Sequence, residues 1–375
     1  MKKVYILQRV LTTYRLPFFS QLRDALERRG IELNLVYGCG NKADQKRGYL
    51  ADLPWGLRIS ESYIKIGKEY LVFQPYLRYL KDADLIIAVQ EMKLLLNYLL
   101  LLKRKLSPFK LAYWGHSVNF QEDKNGLRNK IKRKLNNAAD WWFAYTSGEA
   151  QLIESAGFPS ARITVVQNSI DTKNSLRLKA GIGKEEMDKV RSDLGIRPGQ
   201  PVCLYCGGMY KEKRLDFLWE VCQRIKKKLL DFHMIFVGGG PYENEARAMS
   251  KENPWIHFVG PAFERAQILY FMLSDILLMP GLVGLVILDC FTLEVPLVTT
   301  QYAFHSPEIE YLENGRNGIM TKDNVEDYCE TVLRVLSDPK ALASLKEGCR
   351  ISAGRYSMER MIESFSEGIV RCLDS

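Results

Sequence analysis

The stretch Val202-Cys203-Leu204-Tyr205-Cys206-Gly207-Gly208-Met209-Tyr210-Lys211-Glu212-Lys213-Arg214-Leu215-Asp216 decides the fold. Its apolar opening is too short for a helix and suits a strand covered on both faces, as in a parallel sheet. The glycine pair ends that strand, and a helix-period segment begins at Leu215. A strand running through glycine into a helix is the first step of a βαβ unit. Gly207 and Gly208 allow a ligand close to the backbone, and Lys211, Lys213 and Arg214 stand at the helix start. Such an arrangement either holds a diphosphate through its cations or is a tight turn with solvated charges. The segment alone leaves both open.

Downstream, the same rhythm repeats. Strands are expected at Met234–Val237, Ile256–Val259, Ile276–Met279 and Leu297–Thr300, joined by helices at 215–229, 242–251, 265–274 and 284–294. Met234–Val237 runs into Gly238-Gly239-Gly240-Pro241. Ile276–Met279 runs into Pro280-Gly281-Leu282-Val283-Gly284, which opens an apolar helix carrying one acid, Asp289. A helix start offers unpaired N–H groups to a phosphate, and an acid within the helix can reach a ribose hydroxyl; otherwise such an acid needs a buried donor. After Leu297–Thr300 come His305-Ser306-Pro307-Glu308 and Asn314-Gly315-Arg316-Asn317-Gly318. Successive strand ends on one sheet edge, each bearing glycine or polar residues, are hard to explain as turns alone.

Upstream, Val4–Gln8, Glu32–Tyr37, Leu85–Val89, Leu111–Trp114, Trp142–Tyr145 and Ile163–Val166 read as strands. Helices are expected near 17–29, 92–105, 126–138 and 147–156, and three more near 325–337, 339–353 and 358–373. The expected fold class is α/β, with two Rossmann-like doubly wound domains facing each other across a cleft. Their limits are 1–170, a polar linker at 171–200, 201–353, and a terminal helix at 354–375 packing back on the first domain.

A chain of 375 residues suits two cores. Hydrophobic and charged fractions of 47% and 26% are those of a soluble protein. The apolar run Leu94–Leu102 is too short to span a bilayer, and Met1–Arg9 reads as a first strand rather than a signal peptide. The eight cysteines are scattered. Cys203 and Cys206 form a lone C-x-x-C without a second ligand pair, so reduced thiols in a cytoplasmic protein are expected, with no metal site.

The net charge of +9 is uneven, with 33 Lys and Arg against 20 Asp and Glu over residues 1–195. Lys124, Arg128, Lys130, Lys132, Arg133 and Lys134 cluster on an expected helix whose Leu127, Ile131 and Leu135 form an apolar stripe. The cations either face solvent or attach the protein peripherally to an anionic membrane on its inner face. No nucleic-acid recognition module appears, so no nucleic-acid partner is expected.

Taken together, the chain resembles the family-4 retaining glycosyltransferases, of the two-Rossmann-domain architecture called GT-B. The resemblance rests on Tyr14-Arg15-Leu16-Pro17-Phe18-Phe19, Trp114-Gly115-His116-Ser117, Asn168-Ser169-Ile170-Asp171, Gly207 to Lys213, Gly238–Pro241 and Pro280–Pro296. It implies a nucleotide-sugar donor, with UDP and GDP unresolved, bound by the C-terminal domain. Lys213 and the amides near Gly284 and Leu285 would hold the diphosphate. Asp289 falls where the family has the second Glu of an E-x7-E element, a ribose contact. Gly207, Gly208, Arg214, Gly238, Gly239, Gly281 and Glu308 complete the donor candidates. His116 matches a histidine near the transferred sugar, and with Lys213 it is the catalytic candidate. Tyr14 and Arg15 stand on the acceptor side.

The resemblance further implies a hexosyltransferase-like reaction with retention, needing neither metal nor cofactor, on a glycan or lipid-linked acceptor in surface polysaccharide or lipid-linked oligosaccharide assembly. Two positions depart from the pattern. The first Glu of E-x7-E falls at Gly281, and the Arg of a G-R-L element falls at Gly208; Arg214 is the expected substitute cation. These departures leave room for a catalytically degenerate nucleotide- or glycan-binding partner subunit. A same-fold epimerase or phosphorylase is a further alternative. His233 and His257 match no motif and are expected to be structural.

Overall fold

Every pairing within the two main sheets is parallel, so each strand must return over a sheet face through a crossover connection. The computed structural model describes residues 1–46, 49–67, 69–115 and 135–375. The chain divides into two units, Met1–Ile170 with Met358–Ser375, and Asp171–Ser357.

Unit 1 holds β1 (Lys2–Gln8), β2 (Ile31–Gly38), β3 (Leu57–Ile59), β6 (Leu85–Val89), β7 (Lys110–Trp114), β8 (Trp141–Ala144) and β9 (Ile163–Val165) in one seven-stranded sheet, ordered β3-β2-β1-β6-β7-β8-β9. An antiparallel hairpin, β4 (Ser62–Ile66) with β5 (Glu69–Phe73), stands apart from it. One core contains Phe18, Phe19, Trp114, Phe143 and Phe365. Phe143 stacks on Phe365 with centroids 4.4 Å apart, and Trp114 meets Phe365 edge-on at 4.9 Å. Phe365 belongs to the terminal helix Met358–Asp374, whose Met358, Met361, Phe365, Ile369 and Cys372 are buried at helical spacing. Gly368 leaves room for the Phe143 ring, which a Cβ there would meet at 2.7 Å. Lys110 Nζ donates to the Cys372 carbonyl at 2.7 Å and so caps the helix C-terminus.

Unit 2 holds β10 (Val202–Cys206), β11 (His233–Val237), β12 (Ile256–Gly260), β13 (Ile276–Leu278), β14 (Leu297–Thr300) and β15 (Gly318–Thr321), ordered β12-β11-β10-β13-β14-β15. Numbered within the unit, this is the 3-2-1-4-5-6 order, whose switch point lies between β10 and β13. The segments after those two strands, from Gly207 to Lys213 and Pro280–Leu285, meet at the carboxyl edge, where doubly wound sheets bind their ligands.

The stretch 171–200 departs from the expected linker. It forms two helices, Thr172–Ala180 and Lys184–Asp193, that belong to unit 2. Polar contacts hold them: Arg265 donates to Glu186 at 3.0 Å and to the Gly181 carbonyl at 2.9 Å, and Lys179 pairs with Glu294 at 3.2 Å. No residue of Lys184–Asp193 is fully buried. All eight cysteines are free. Among the described residues, no helix is long and apolar enough to cross a membrane.

Candidate active site

At the switch point of unit 2 the chain brings together a buried cation and a row of unpaired amides. Lys213 ends a short 3-10 turn, Lys211–Lys213, and Arg214 then takes the left-handed conformation at φ 56°. That kink lets the next helix, Leu215–Lys228, start in a new direction while Lys213 points inward. Its Nζ donates to the Leu282 carbonyl at 2.6 Å and lies 3.5 Å from Met279 Sδ. Gly207, at φ 154°, holds a backbone conformation that side-chain residues rarely adopt, and a Cβ there would lie 3.9 Å from this Nζ. Lys213 is 6% exposed, and burial pushes its pKa down to about 8. Among the described residues no carboxylate pairs with it. An unpaired buried ammonium costs several kcal/mol, which makes an anion its natural complement.

The loop after β13 supplies the second half of the site. Leu282 N–H donates to the Glu212 carbonyl at 2.9 Å, and its own carbonyl accepts from Lys213. The next helix, Val286–Leu293, begins immediately. The N–H groups of Gly284, Leu285 and Val286 have no acceptor among the described residues. Unpaired amides at a helix start attract anions. Further along that helix, Asp289 accepts from Gln267 Nε2 at 3.4 Å, and burial pushes its pKa up to about 7. Asp289 keeps intermediate exposure.

The other donor candidates divide by what they touch. Gly238 and Gly239 pack the second glycine loop against the first: a Cβ at Gly238 would meet the Gly207 carbonyl at 1.9 Å, and Met209 N–H donates to the Gly239 carbonyl at 2.8 Å. Gly208 is covered by the Tyr210 ring, 2.9 Å from where its Cβ would be. Gly281 faces the Glu212–Lys213 backbone so closely that a Cβ would lie 2.2 Å from the Glu212 carbonyl. Glu308 is buried in the turn Pro307–Tyr311. Arg214, the substitute cation expected from the sequence, pairs with Asp323, donates to Thr300 Oγ1 at 3.3 Å and lies over the Phe217 ring.

In unit 1, Tyr14 is 43% exposed whereas Arg15 is 7% exposed. Arg15 donates to Asn168 Oδ1 at 2.6 Å and sits over the rings of Tyr14 and Trp114, tying the turn before Leu16 to the Asn168 segment. His116 and the basic stretch Lys124–Lys134 lie outside the described residues. Sequence reasoning did not name Gln267, Tyr210, Thr300 and His305 as site residues, although Tyr210 and His305 stood in stretches already singled out. Gln267, Thr300 and His305 make contacts about twenty positions away.

The fold is that of two Rossmann-like units, the second carrying a buried lysine and unpaired helix-start amides at its switch point. Models of known families match both units: glycosyl transferases group 1 over residues 200–338, and glycosyltransferase family 4 over residues 18–174. The chain belongs to this family of group 1, family 4 glycosyltransferases. It is 24% identical over 362 residues to an uncharacterised glycosyltransferase of Haemophilus influenzae, covering 91% of this chain and 92% of that one. An alpha-galactosylglucosyldiacylglycerol synthase of Streptococcus pneumoniae is 25% identical over 223 residues; that match takes in 56% of this chain and only about half, 55%, of the relative. Among solved structures, Anabaena HepE in complex with UDP is similar in fold, with a TM-score of 0.70 at 14% identity over 99% of this chain and 100% of that one.

Proposed function

We propose that the chain transfers a glycosyl group from a nucleoside diphosphate sugar to a hydroxyl acceptor. The observation that carries this reading is Lys213, a buried ammonium that no carboxylate among the described residues pairs with, next to the loop whose Gly284, Leu285 and Val286 amides are unpaired among those residues. When the bond between the sugar's anomeric carbon and the β-phosphate oxygen breaks, negative charge grows on the leaving diphosphate. Fixed donors aimed at that charge stabilise the transition state, and losing one costs about 3–4 kcal/mol of barrier. Lys213→Ala should lower turnover by about a hundredfold or more and weaken UDP binding in calorimetric titration. Wild-type protein that bound neither UDP nor GDP would sink the reading.

The finer chemistry is part of the same proposal. Transfer proceeds at the front face with retention, the acceptor hydroxyl passing its proton to a leaving phosphate oxygen as the new glycosidic bond forms. Lys213 and the amide dipoles do the charge stabilisation, so turnover should survive chelation by EDTA. NMR of the product tests the stereochemistry, and an inverted anomer would refute retention. A UDP-sugar is the favoured donor, since the fold is similar to Anabaena HepE solved with UDP-glucose.

The acceptor we propose is lipid-linked, met peripherally at the inner face of an anionic membrane, in surface polysaccharide or lipid-linked oligosaccharide assembly. Its support is the Streptococcus relative, named for a diacylglycerol glycolipid, and the charge of unit 1: 29 Lys and Arg against 19 Asp and Glu, a net of +10. On hairpin β4–β5, Ile64 and Ile66 also share a face and are 47% and 56% exposed.

One observation favours a second reading, a partner subunit that binds without turnover. The space at Gly281, where the family has an acid for the donor sugar, is filled by the Glu212–Lys213 backbone. UDP binding with no hydrolysis or transfer across a panel of UDP- and GDP-sugars would favour that subunit.

A further inference from the structure

We propose that His305 is a positioning residue for the diphosphate site: through the Val283 amide it holds the 281–285 loop so that Gly284, Leu285 and Val286 present their N–H groups to the donor. This rests on the diphosphate reading above.

The hydrogen bonds leave His305 one role. Val283 N–H can only donate, and its acceptor is His305 Nδ1 at 3.1 Å. The ring proton is therefore on Nε2, which donates to the Thr300 carbonyl at 2.9 Å. Both nitrogens are occupied and neither is available to move a proton, which separates this histidine from an acid or base. Burial above all, with the neighbouring Lys213 ammonium, pushes its pKa down, against opposing pulls from the Thr300 carbonyl hydrogen bond and Asp323, and so favours the neutral ring that this pattern requires.

The loop is pinned crosswise as a result. Both backbone groups of Leu282 are held by Glu212 and Lys213. Both backbone groups of Val283 are held from the other side, its N–H by His305 and its carbonyl by Ser306 N–H at 2.9 Å. Thr300 anchors the same loop twice: its carbonyl receives His305, and its hydroxyl donates to the Pro280 carbonyl at 2.7 Å while accepting from Arg214. With residues 282 and 283 fully committed, the next amides open the helix unpaired. An amide array stabilises charge only if it is fixed before the ligand arrives. Removing the imidazole frees Val283 and lets the array relax or find other partners.

Three variants test this by UDP calorimetry and by hydrogen exchange of peptides covering residues 280–288. His305→Ala should raise the UDP dissociation constant about tenfold, equivalent to about 1.4 kcal/mol. It should also speed Val283 exchange in the ligand-free protein and lose the protection that UDP confers on the following amides. Asn places its Oδ1 near the Nδ1 position, so His305→Asn should recover most of the affinity. Gln places its polar atoms near Nε2 instead, so His305→Gln should not. Folded His305→Ala that binds UDP like wild type would overturn the proposal. If that variant does not fold, equal affinities of the Asn and Gln variants overturn it. Wild-type protein that binds neither UDP nor GDP removes the diphosphate reading, while unchanged Val283 exchange in a His305 variant refutes the positioning role itself.

Discussion

Lys213 carries a testable pH dependence because burial holds its folded pKa at about 8 in the absence of an anion. Below that value the side chain is an ammonium and attracts a diphosphate; above it the charge is lost. UDP affinity should therefore fall as pH rises through about 8, approaching tenfold per unit if Lys213 alone titrates. In Lys213→Arg the guanidinium stays charged, so its calorimetric pH profile should lack this step even where absolute affinity is lower. At Gly281 the expected outcome runs against sequence logic. Gly281→Glu supplies the acid that the family pattern has, yet its Cβ meets the Glu212 carbonyl at 2.2 Å. It should cost about 1–3 kcal/mol in urea denaturation and gain no turnover. The strand-end glycines were legible from the strand–glycine–helix spacing, whereas Lys213 was singled out among its neighbouring cations by the family resemblance. Which of two adjacent cations turns inward was not legible, since that depends on the left-handed Arg214 and on Asp323, 109 positions away. Arg15 escaped for a similar reason, its partner Asn168 lying 153 positions downstream.

Among the elements, the terminal helix Met358–Asp374 is a structural part of unit 1, the half of the chain farthest from it in sequence. Phe365 contacts Phe18, Trp114 and Phe143 at once. Phe365→Ala should destabilise unit 1 by about 3–5 kcal/mol in chemical denaturation, with UDP affinity of the folded protein retained. Strands β11 and β12 carry a second weak point. His233 Nδ1 and His257 Nε2 share a hydrogen bond at 2.9 Å, and burial pushes both pKa values down, that of His257 to about 4. Unfolded histidines titrate near 6.5. Between about 6.5 and 4 the unfolded chain therefore binds protons that the folded pair refuses, and stability falls as pH drops. Thermal melts across that window should show a shallower acid loss in the double variant His233→Gln/His257→Gln than in wild type. The buried strands could be read nearly to their ends, as at Leu85–Val89, Val202–Cys206 and Leu297–Thr300, because hydrophobic runs bounded by glycine or polar residues have one reading in a parallel sheet. Hairpin β4–β5 and the helices of 171–200 could not, since one exposes its isoleucines and the others are docked by ion pairs.

For the whole molecule the deciding quantity is how charge divides. Unit 1 has a net of +10 and unit 2, with 24 Lys and Arg against 25 Asp and Glu, a net of −1. The donor proposed for nearly neutral unit 2 would be drawn by local contacts, whereas ten excess cations on the other unit create a long-range field. Basic groups near an anionic leaflet contribute about 1 kcal/mol each, within a Debye length of about 8 Å at physiological salt. Apolar side chains entering the interface add a term that salt does not screen. Vesicle co-sedimentation can separate the two. Binding should rise with the fraction of phosphatidylglycerol, be absent on pure phosphatidylcholine, and drop steeply between 0.1 and 0.5 M NaCl, two ionic strengths whose screening lengths differ about twofold. Ile64→Ser with Ile66→Ser should weaken the binding that remains at high salt more than it weakens binding at low salt. Nucleotide affinity should be unchanged in that variant, since both residues lie outside unit 2. Sedimentation indifferent to anionic lipid content would remove the membrane from the proposed function while leaving the donor site intact.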